Sequence, residues 1–267
     1  KVKNGALLKL NGEDNEIQFD FVNSFVSNST GLHRYQDPKD NLIYIYSHCE
    51  TYFCHRWFPC FDQPSIRASL DLQVVVPDES WIVVANAQAL SKASIEKPQL
   101  DNSHLANSGK SEETTYWLHV FDRCPPISTY LYNMCAGNFH AIECEIKNPI
   151  TPMKIYLRKS RQSEIDAQEL FMVIDEGIRF YEEYTGVKYP WCKYDQIFCP
   201  QLRVGAEENL TAVTFSENWL QPVDAQTEYM IIPEMGVYGR LNYVALHELA
   251  HMWFGNLVTM KWWNDLW

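Results

Sequence analysis

Two histidines and a glutamate in the last part of the chain have the spacing of a metal-binding helix. Residues 247–251 read His-Glu-Leu-Ala-His. Because positions i and i+4 lie on one face of a helix, His247 and His251 can bind one metal ion together. Glu248 then projects beside the ion, where a carboxylate can take a proton from metal-activated water. The spacing predicts the zinc helix of a peptidase; the alternative is a half-exposed helix with two incidental histidines.

The residues around this pair and before it supply the elements that would hold the site. The residues around the motif are uncharged, as a zinc helix in an apolar wall requires; they are Leu246, Leu249, Ala250, Met252 and Trp253. We predict that this helix runs from about 241 to 254 and ends at Gly255. Short strands are predicted at 196–199 and 211–215.

A second helix is predicted between residues 163 and 186. Ser163 is the expected N-cap and Gly186 the expected end. Its apolar residues are spaced 4, 3, 4 and 3, as in one face of a helix: Ala167, Phe171, Ile174, Ile178 and Tyr181.

The first part of the chain has the patterns of strands rather than helices. Apolar stretches that alternate or run between turn-forming residues predict strands, at 17–21, 42–46, 70–76, 81–84, 115–121 and 154–157. Segment 98–114 is polar, has no periodicity and is predicted to be a surface loop. These patterns favour an α+β protein with an antiparallel all-β domain over residues 1–158 and an α/β domain over residues 159–267.

Composition and charge exclude some classes of function. The net charge of −12 argues against a nucleic-acid partner and suits ligands that carry a positive group. No run of 18 apolar residues is present, so no membrane span is expected. The eight cysteines contain no C-x-x-C pair, which favours reduced thiols in a cytoplasmic protein. An extracellular or membrane-anchored location, with one or two disulfide bridges, stays open.

Three segments resemble the aminopeptidase N family of zinc peptidases, in the gluzincin clan. Residues 203–209, Arg-Val-Gly-Ala-Glu-Glu-Asn, are similar to its Gly-Ala-Met-Glu-Asn signature. Residues 48–64 end Phe-Pro-Cys-Phe-Asp-Gln-Pro, similar to a stretch of its N-terminal domain. Residues 244–267 resemble its zinc-helix segment almost letter for letter. The resemblance implies a saddle-like β domain followed by part of a thermolysin-like catalytic domain.

The resemblance also implies roles for individual residues. His247 and His251 would bind one zinc ion, and Glu248 would act as general base on the zinc-bound water. Glu208 and Glu50 would hold the free α-ammonium of a peptide substrate. The backbone at Gly205 and Ala206 would line the cleft. The implied activity is the removal of N-terminal residues from peptides.

Two departures from the family pattern concern the completeness of the site. Glu207 stands where the family usually has Met, so an extra acid lies near the expected ammonium pocket. The third zinc ligand of the family, a Glu, would fall at position 270, and its catalytic tyrosine would come later still. We therefore expect this stretch to be inactive alone. A non-catalytic structural or assembly component derived from an aminopeptidase is the alternative function, and an endopeptidase of the same clan is a third.

Overall fold

The computed structural model of the chain describes residues 16–96, 115–220 and 237–266. Over these residues it contains fourteen strands and two α-helices. The strands of the first part are β1 Gly31–Gln36, β2 Ile43–His48, β3 Arg67–Leu70, β4 Gln73–Val76, β5 Ile82–Ala85, β6 Ala89–Ile95, β7 Tyr116–Phe121, β8 Cys124–Ser128 and β9 Met134–Gly137. The later elements are β10 Phe139–Glu143, β11 Met153–Arg158, α1 Ala167–Thr185, β12 Tyr194–Cys199, β13 Ala206–Glu207, β14 Ala212–Ser216 and α2 Val237–Ala250.

Strands β1 to β9 form three antiparallel sheets. Their orders are β1-β2-β9-β5, β3-β8 and β4-β7-β6. Every pair within them is antiparallel. Most of the apolar stretches predicted as strands therefore lie in strands, and the α+β class is confirmed.

A mixed five-stranded sheet carries the two helices. Its order is β10-β11-β12-β14-β13, with β13 at the edge. Strands β11, β12 and β14 are parallel neighbours, and α1 makes the connection between β11 and β12. Parallel strands require such a crossover, because a tight turn can only join antiparallel strands. This sheet has strands on both sides of residue 158, and the domain boundary at that residue stays a prediction.

Helix α1 forms where the apolar spacing predicts it, and it packs on α2. Four residues of its predicted stripe are buried and the fifth, Tyr181, is half-buried. Gly186 ends the helix in the left-handed conformation, at φ 71°. Gly177 lets the two helices approach, since a Cβ there would lie 2.5 Å from Leu246 Cδ2 and 2.8 Å from Leu249 Cδ2. The stripe of α1 therefore sets the position of α2, which carries both histidines.

Several predicted boundaries are wrong. The N-cap of α1 is Asp166 rather than Ser163, because the Asp166 side chain accepts a hydrogen bond from the backbone N–H of Glu169. Helix α2 begins earlier than predicted and ends at Ala250, so His251 is the first residue beyond it. The stretch 70–76 is divided between two strands that belong to different sheets.

The strand predicted at 17–21 is absent, and its side chains are exposed. Alternation alone does not make a strand, which also needs a neighbour with which to exchange backbone hydrogen bonds. The loop predicted at 98–114 lies outside the described residues.

A buried ion-pair group ties the β-sheets of the first part to the mixed sheet. Arg158, at the end of β11, makes two hydrogen bonds to the Glu217 carboxylate, at 2.6 and 2.7 Å. Its third contact is an ion pair with Asp37, just after β1, at 2.5 Å. Both acids are buried. Neither described helix has the length and apolar composition that crossing a bilayer requires.

Candidate active site

The two imidazoles of the predicted zinc helix face each other at chelating distance. His247 Nε2 and His251 Nε2 lie 3.2 Å apart, with their rings nearly perpendicular. A metal bound tetrahedrally at about 2.0–2.1 Å to two such nitrogens separates them by roughly 3.4 Å. The local i, i+4 spacing therefore produced the geometry that a shared metal ion needs, although the helix ends between the two residues.

The turn after the helix fixes which nitrogen of His251 faces the site. His251 Nδ1 lies 3.1 Å from the Phe254 carbonyl oxygen, so the N–H is placed on Nδ1 and the lone pair on Nε2. Gly255 makes this arrangement possible. Its φ is 141°, and a Cβ there would lie 2.9 Å from His251 Nδ1. A side chain at position 255 would therefore displace the imidazole.

A cavity of about 180 Å³ lies against the two histidines and contains most of the predicted site residues. Among the described residues that line it are Glu50, Ala206, Glu208, His247, Glu248 and His251. Gly205 does not line it, and the Gly205 carbonyl oxygen accepts hydrogen bonds from Ser216 and Trp219. The structure thus brings together every predicted site residue except Gly205.

Four further residues line the cavity, and the sequence analysis did not predict them at the site. They are Tyr130, Gly255, Met260 and Leu266. Tyr130 is buried, and its ring packs edge-on against Trp263 with centroids 5.3 Å apart. No local spacing relates Tyr130 to the zinc helix, because it comes from the turn after β8 and only the tertiary fold brings it there.

Two different sheets present the acids that flank the histidines. Glu208 follows the edge strand β13, whose register is fixed by antiparallel pairing of Glu207 with Thr214. The Asn256 side-chain amide donates a 2.8 Å hydrogen bond to the Glu208 carbonyl oxygen, which ties this strand to the turn after α2. Glu50 comes from the other side of the cavity, two residues after β2. The cavity therefore lies where the first β-sheet meets the mixed sheet.

The electrostatics of the cavity favour a bound cation. Burial, followed by the charges of Glu208 and Glu50, raises the pKa of Glu248 to about 9. Burial, followed by the charge of Glu208, raises the pKa of Glu50 to about 7. Among the described lining residues, His247 and His251 are the only basic side chains. Three carboxyl groups lie close together away from water, and a positive charge between them would stabilise their ionised forms.

The same residues fit a zinc ion. Burial lowers the pKa of His247 and His251, so both imidazoles are neutral and able to bind a metal. Donor atoms of Glu208, Glu248 and His251 all lie within 4.8 Å of one another. Imidazole and carboxylate donors are the set that catalytic zinc uses, with His nitrogens as the usual anchors. His247 and His251 are the residues that would hold the ion.

A second group of metal donors lies outside this cavity and has a structural explanation. Donor atoms of Cys54, Cys60 and Asp62 are within 4.8 Å of one another. The Asp62 carboxylate already accepts hydrogen bonds from the His55 backbone at 3.1 Å and the Thr129 hydroxyl at 2.9 Å. A hydrogen bond that the Cys54 thiol donates to Cys49 raises the pKa of Cys54, which keeps it neutral. These contacts hold the loop after Glu50 in shape without an ion.

A zinc-type helix beside a mixed sheet, joined to antiparallel sheets that supply a further acid, is the arrangement expected from the family that the three sequence segments resemble. The comparisons with known proteins agree. Residues 169–267 match the peptidase family M1 domain, and residues 4–131 match the peptidase M1 N-terminal domain. The chain belongs to peptidase family M1, as the resemblance predicts.

Relatives of the chain are aminopeptidases from distant organisms. Aminopeptidase N of Streptomyces lividans is 33% identical over 249 residues, covering 91% of this chain and 25% of that protein. Leucyl aminopeptidase of Saccharolobus solfataricus is 32% identical, over 86% of this chain and 25% of that protein. Aminopeptidase N of Rattus norvegicus is 30% identical, over 98% of this chain and 25% of that protein. The chain spans about a quarter of the length of these relatives.

Proposed function

We propose that the protein carrying this chain is a zinc metallo-aminopeptidase that removes single residues from the free N-terminus of peptides. The observation that carries the proposal is the cavity itself. It holds two imidazole nitrogens 3.2 Å apart, a neighbouring buried glutamate, and two further acids from separate sheets. Membership of peptidase family M1 and the aminopeptidase relatives support the same reading.

In this proposal Glu248 holds and moves a proton at the scissile bond. Its side chain lines the cavity beside His247 and is buried, which excludes bulk water from the carboxylate. Bound zinc would supply the Lewis acid that polarises the carbonyl and activates the attacking water. Glu248 would accept a proton from that water and pass it to the leaving amine.

Glu208 and Glu50 supply the requirement for a free N-terminus. An α-ammonium group is a compact cation with three hydrogen-bond donors, and two carboxylates at a fixed distance from the metal would hold it in one register. An endopeptidase has no use for such a pair, because the residue before its scissile bond carries no charge on the backbone.

The proposal is tested with the complete polypeptide that contains this sequence. With zinc bound, it should release the chromophore from an aminoacyl-anilide, and Glu248→Gln should reduce kcat by about a thousandfold or more, since a buried general base is lost. Glu248→Gln should still bind zinc, because the imidazoles are intact. The matched control is Glu176→Gln, a glutamate exposed on α1, which should leave turnover unchanged.

Two results would count against the proposal in different ways. No turnover in the zinc-loaded parent protein would favour the non-catalytic structural component instead. Cleavage of an N-acetylated anilide as fast as the free amine would leave a zinc peptidase but remove the ammonium-binding roles of Glu208 and Glu50.

A further inference from the structure

Tyr130 supplies the one hydroxyl group among the described residues that line the active-site cavity. The other polar side chains of this lining are the two histidines and three glutamates that already have roles in the proposed function. Tyr130 is only 1% exposed, and no described residue makes a hydrogen bond to its hydroxyl. A buried hydroxyl without a partner is costly, so a ligand in the cavity is the partner to look for.

Hydrogen bonds fix the turn that carries Tyr130 to the segment that carries Glu208. Tyr130 lies in a single buried turn of 3-10 helix after β8. The Leu131 carbonyl oxygen accepts a 3.3 Å hydrogen bond from the backbone N–H of Leu210, two residues after Glu208. The Asn86 side-chain amide donates to the carbonyl oxygens of both Leu131 and Leu210, at 2.9 and 2.7 Å. The phenol and the Glu208 carboxylate therefore belong to one rigid wall of the cavity.

The same turn is joined to the loop after β2, which supplies the other amine-binding acid. The Thr129 hydroxyl donates a 2.9 Å hydrogen bond to the Asp62 carboxylate in that loop. The ring of Tyr130 packs edge-on against Trp263 with centroids 5.3 Å apart, and Trp263 packs in the same way against Tyr52, also at 5.3 Å. Backbone and ring contacts thus hold the phenol in one position before any ligand enters, which lowers the entropic cost of binding.

The chemistry of an α-ammonium group leaves room for a further neutral acceptor. The group has three N–H donors, and in the proposed function the carboxylates of Glu50 and Glu208 accept two of them. A phenol can accept one hydrogen bond while it donates its own proton to another acceptor. Burial raises the pKa of Tyr130, so the phenol keeps that proton at neutral pH. An acceptor without charge suits a cavity in which buried acids already repel one another.

We propose that the Tyr130 hydroxyl accepts the third hydrogen bond of the substrate α-ammonium group and donates its own to one of the two acids that hold this group. Tyr130 then binds and orients the substrate but takes no part in breaking the peptide bond. This role rests on the proposed aminopeptidase function and adds to it a third contact with the amine, from a residue outside the segments that carry the two acids.

The first test removes only the hydroxyl, by Tyr130→Phe in the zinc-loaded complete protein. The contact with the ammonium group is the same before and during bond cleavage. KM for an aminoacyl-anilide should therefore rise about tenfold, as for the loss of a hydrogen bond to a charged group, with kcat nearly unchanged. The matched control is Tyr132→Phe, because the Tyr132 hydroxyl donates to the Ala68 carbonyl oxygen and does not line the cavity. The control should lower the melting temperature and leave KM unchanged.

A pair of inhibitors separates binding of the amine from other roles of Tyr130. Leucine hydroxamate has a metal-binding group and a free α-amine, and its counterpart is the same hydroxamate without the amine. Tyr130→Phe should weaken inhibition by leucine hydroxamate about tenfold and leave inhibition by the counterpart unchanged. The zinc content of the variant should equal that of the parent protein.

Several results would overturn this role while leaving the aminopeptidase function in place. They are equal weakening of both inhibitors, weakening of neither, and loss of zinc from the Tyr130→Phe variant. A fall in kcat with KM unchanged would also overturn it and would indicate a donor to the scissile carbonyl instead. Absence of turnover in the zinc-loaded parent protein would remove the proposed function, and this role with it.

Discussion

At the scale of single residues, the candidate site depends on side chains whose orientation is set by neighbours that do no chemistry. His251 is the clearest case. Its Nδ1 is held by the Phe254 carbonyl oxygen, and the ring fits only because position 255 has no Cβ. Metal-binding histidines are commonly oriented by such a hydrogen bond, and the support contributes to metal affinity. The sequence shows Gly255 only as a possible helix end, because the contact with the imidazole depends on a backbone turn.

Gly255→Ala should weaken zinc binding. The new Cβ would lie 2.9 Å from His251 Nδ1, so the ring must move away from its 3.2 Å approach to His247. We expect a loss of roughly tenfold to a hundredfold in zinc affinity, measured by competition with a chelator in the complete protein.

Gly186→Ala is the matched control for that substitution. Gly186 also has a positive φ, 71°, but no atom lies within 4 Å of the position of its Cβ. It should lower the melting temperature and leave zinc affinity unchanged. Equal zinc affinity in the Gly255→Ala and parent proteins would show that the imidazole is not constrained by the turn.

At the scale of elements, the packing of α1 on α2 determines where both imidazoles lie. The apolar stripe of α1 is readable from the sequence because helical periodicity is a local property. The close contact at Gly177 is not readable, since an isolated glycine inside a helix pattern has no partner until the second helix is in place. Leu249, one of the two side chains that face it, is completely buried.

Gly177→Ala should destabilise the protein despite the better helix propensity of alanine. The propensity gain is about 1 kcal/mol, but overpacking against Leu246 and the buried Leu249 costs about 1–3 kcal/mol. Because the contacts are as short as 2.5 Å, we expect the clash to outweigh the gain and α2 to shift. The melting temperature and kcat/KM should both fall.

A compensating substitution checks the cause of that loss. Leu246→Val on α2 removes a methylene group from the side that faces position 177, so the double variant should recover part of the stability. A higher melting temperature for Gly177→Ala alone would mean that the two helices have room to spare and that Gly177 does not set their distance.

At the scale of the whole molecule, the cavity depends on the union of two sheet systems. Glu50 comes from the first antiparallel sheet, while Glu208 and the histidines belong to the mixed sheet and its helix. The Arg158 group joins the two with contacts to Asp37 on one side and Glu217 on the other. All eight cysteines are free, so no disulfide contributes to this union. A cytoplasmic location stays a prediction.

Arg158→Met should loosen the union of the two sheets. It would leave buried Asp37 without its arginine partner and leave Glu217 with only Arg161, 3.7 Å away, at a cost of about 3–5 kcal/mol in the free energy of unfolding. In chemical denaturation of the complete protein, the region that carries this chain should unfold at a lower denaturant concentration. Arg123→Met is the control, because it breaks the exposed pair with Asp71 and should cost far less. Equal losses would show that Arg158 is not the junction.

The sequence by itself determined the features that depend on local geometry. The pairing of His247 with His251, the apolar face of α1 and most of the strands follow from periods of 3.6 and 2 residues, which the chain carries wherever it folds. Only the tertiary structure decided which residues from other segments surround these local features. The resemblance predicts Glu50 at the site, but the position of Tyr130 in the cavity, the exclusion of Gly205 from it and the burial of Glu207 near His48 all arise from long-range packing. Such contacts join segments with no shared period, so no spacing in the chain predicts them.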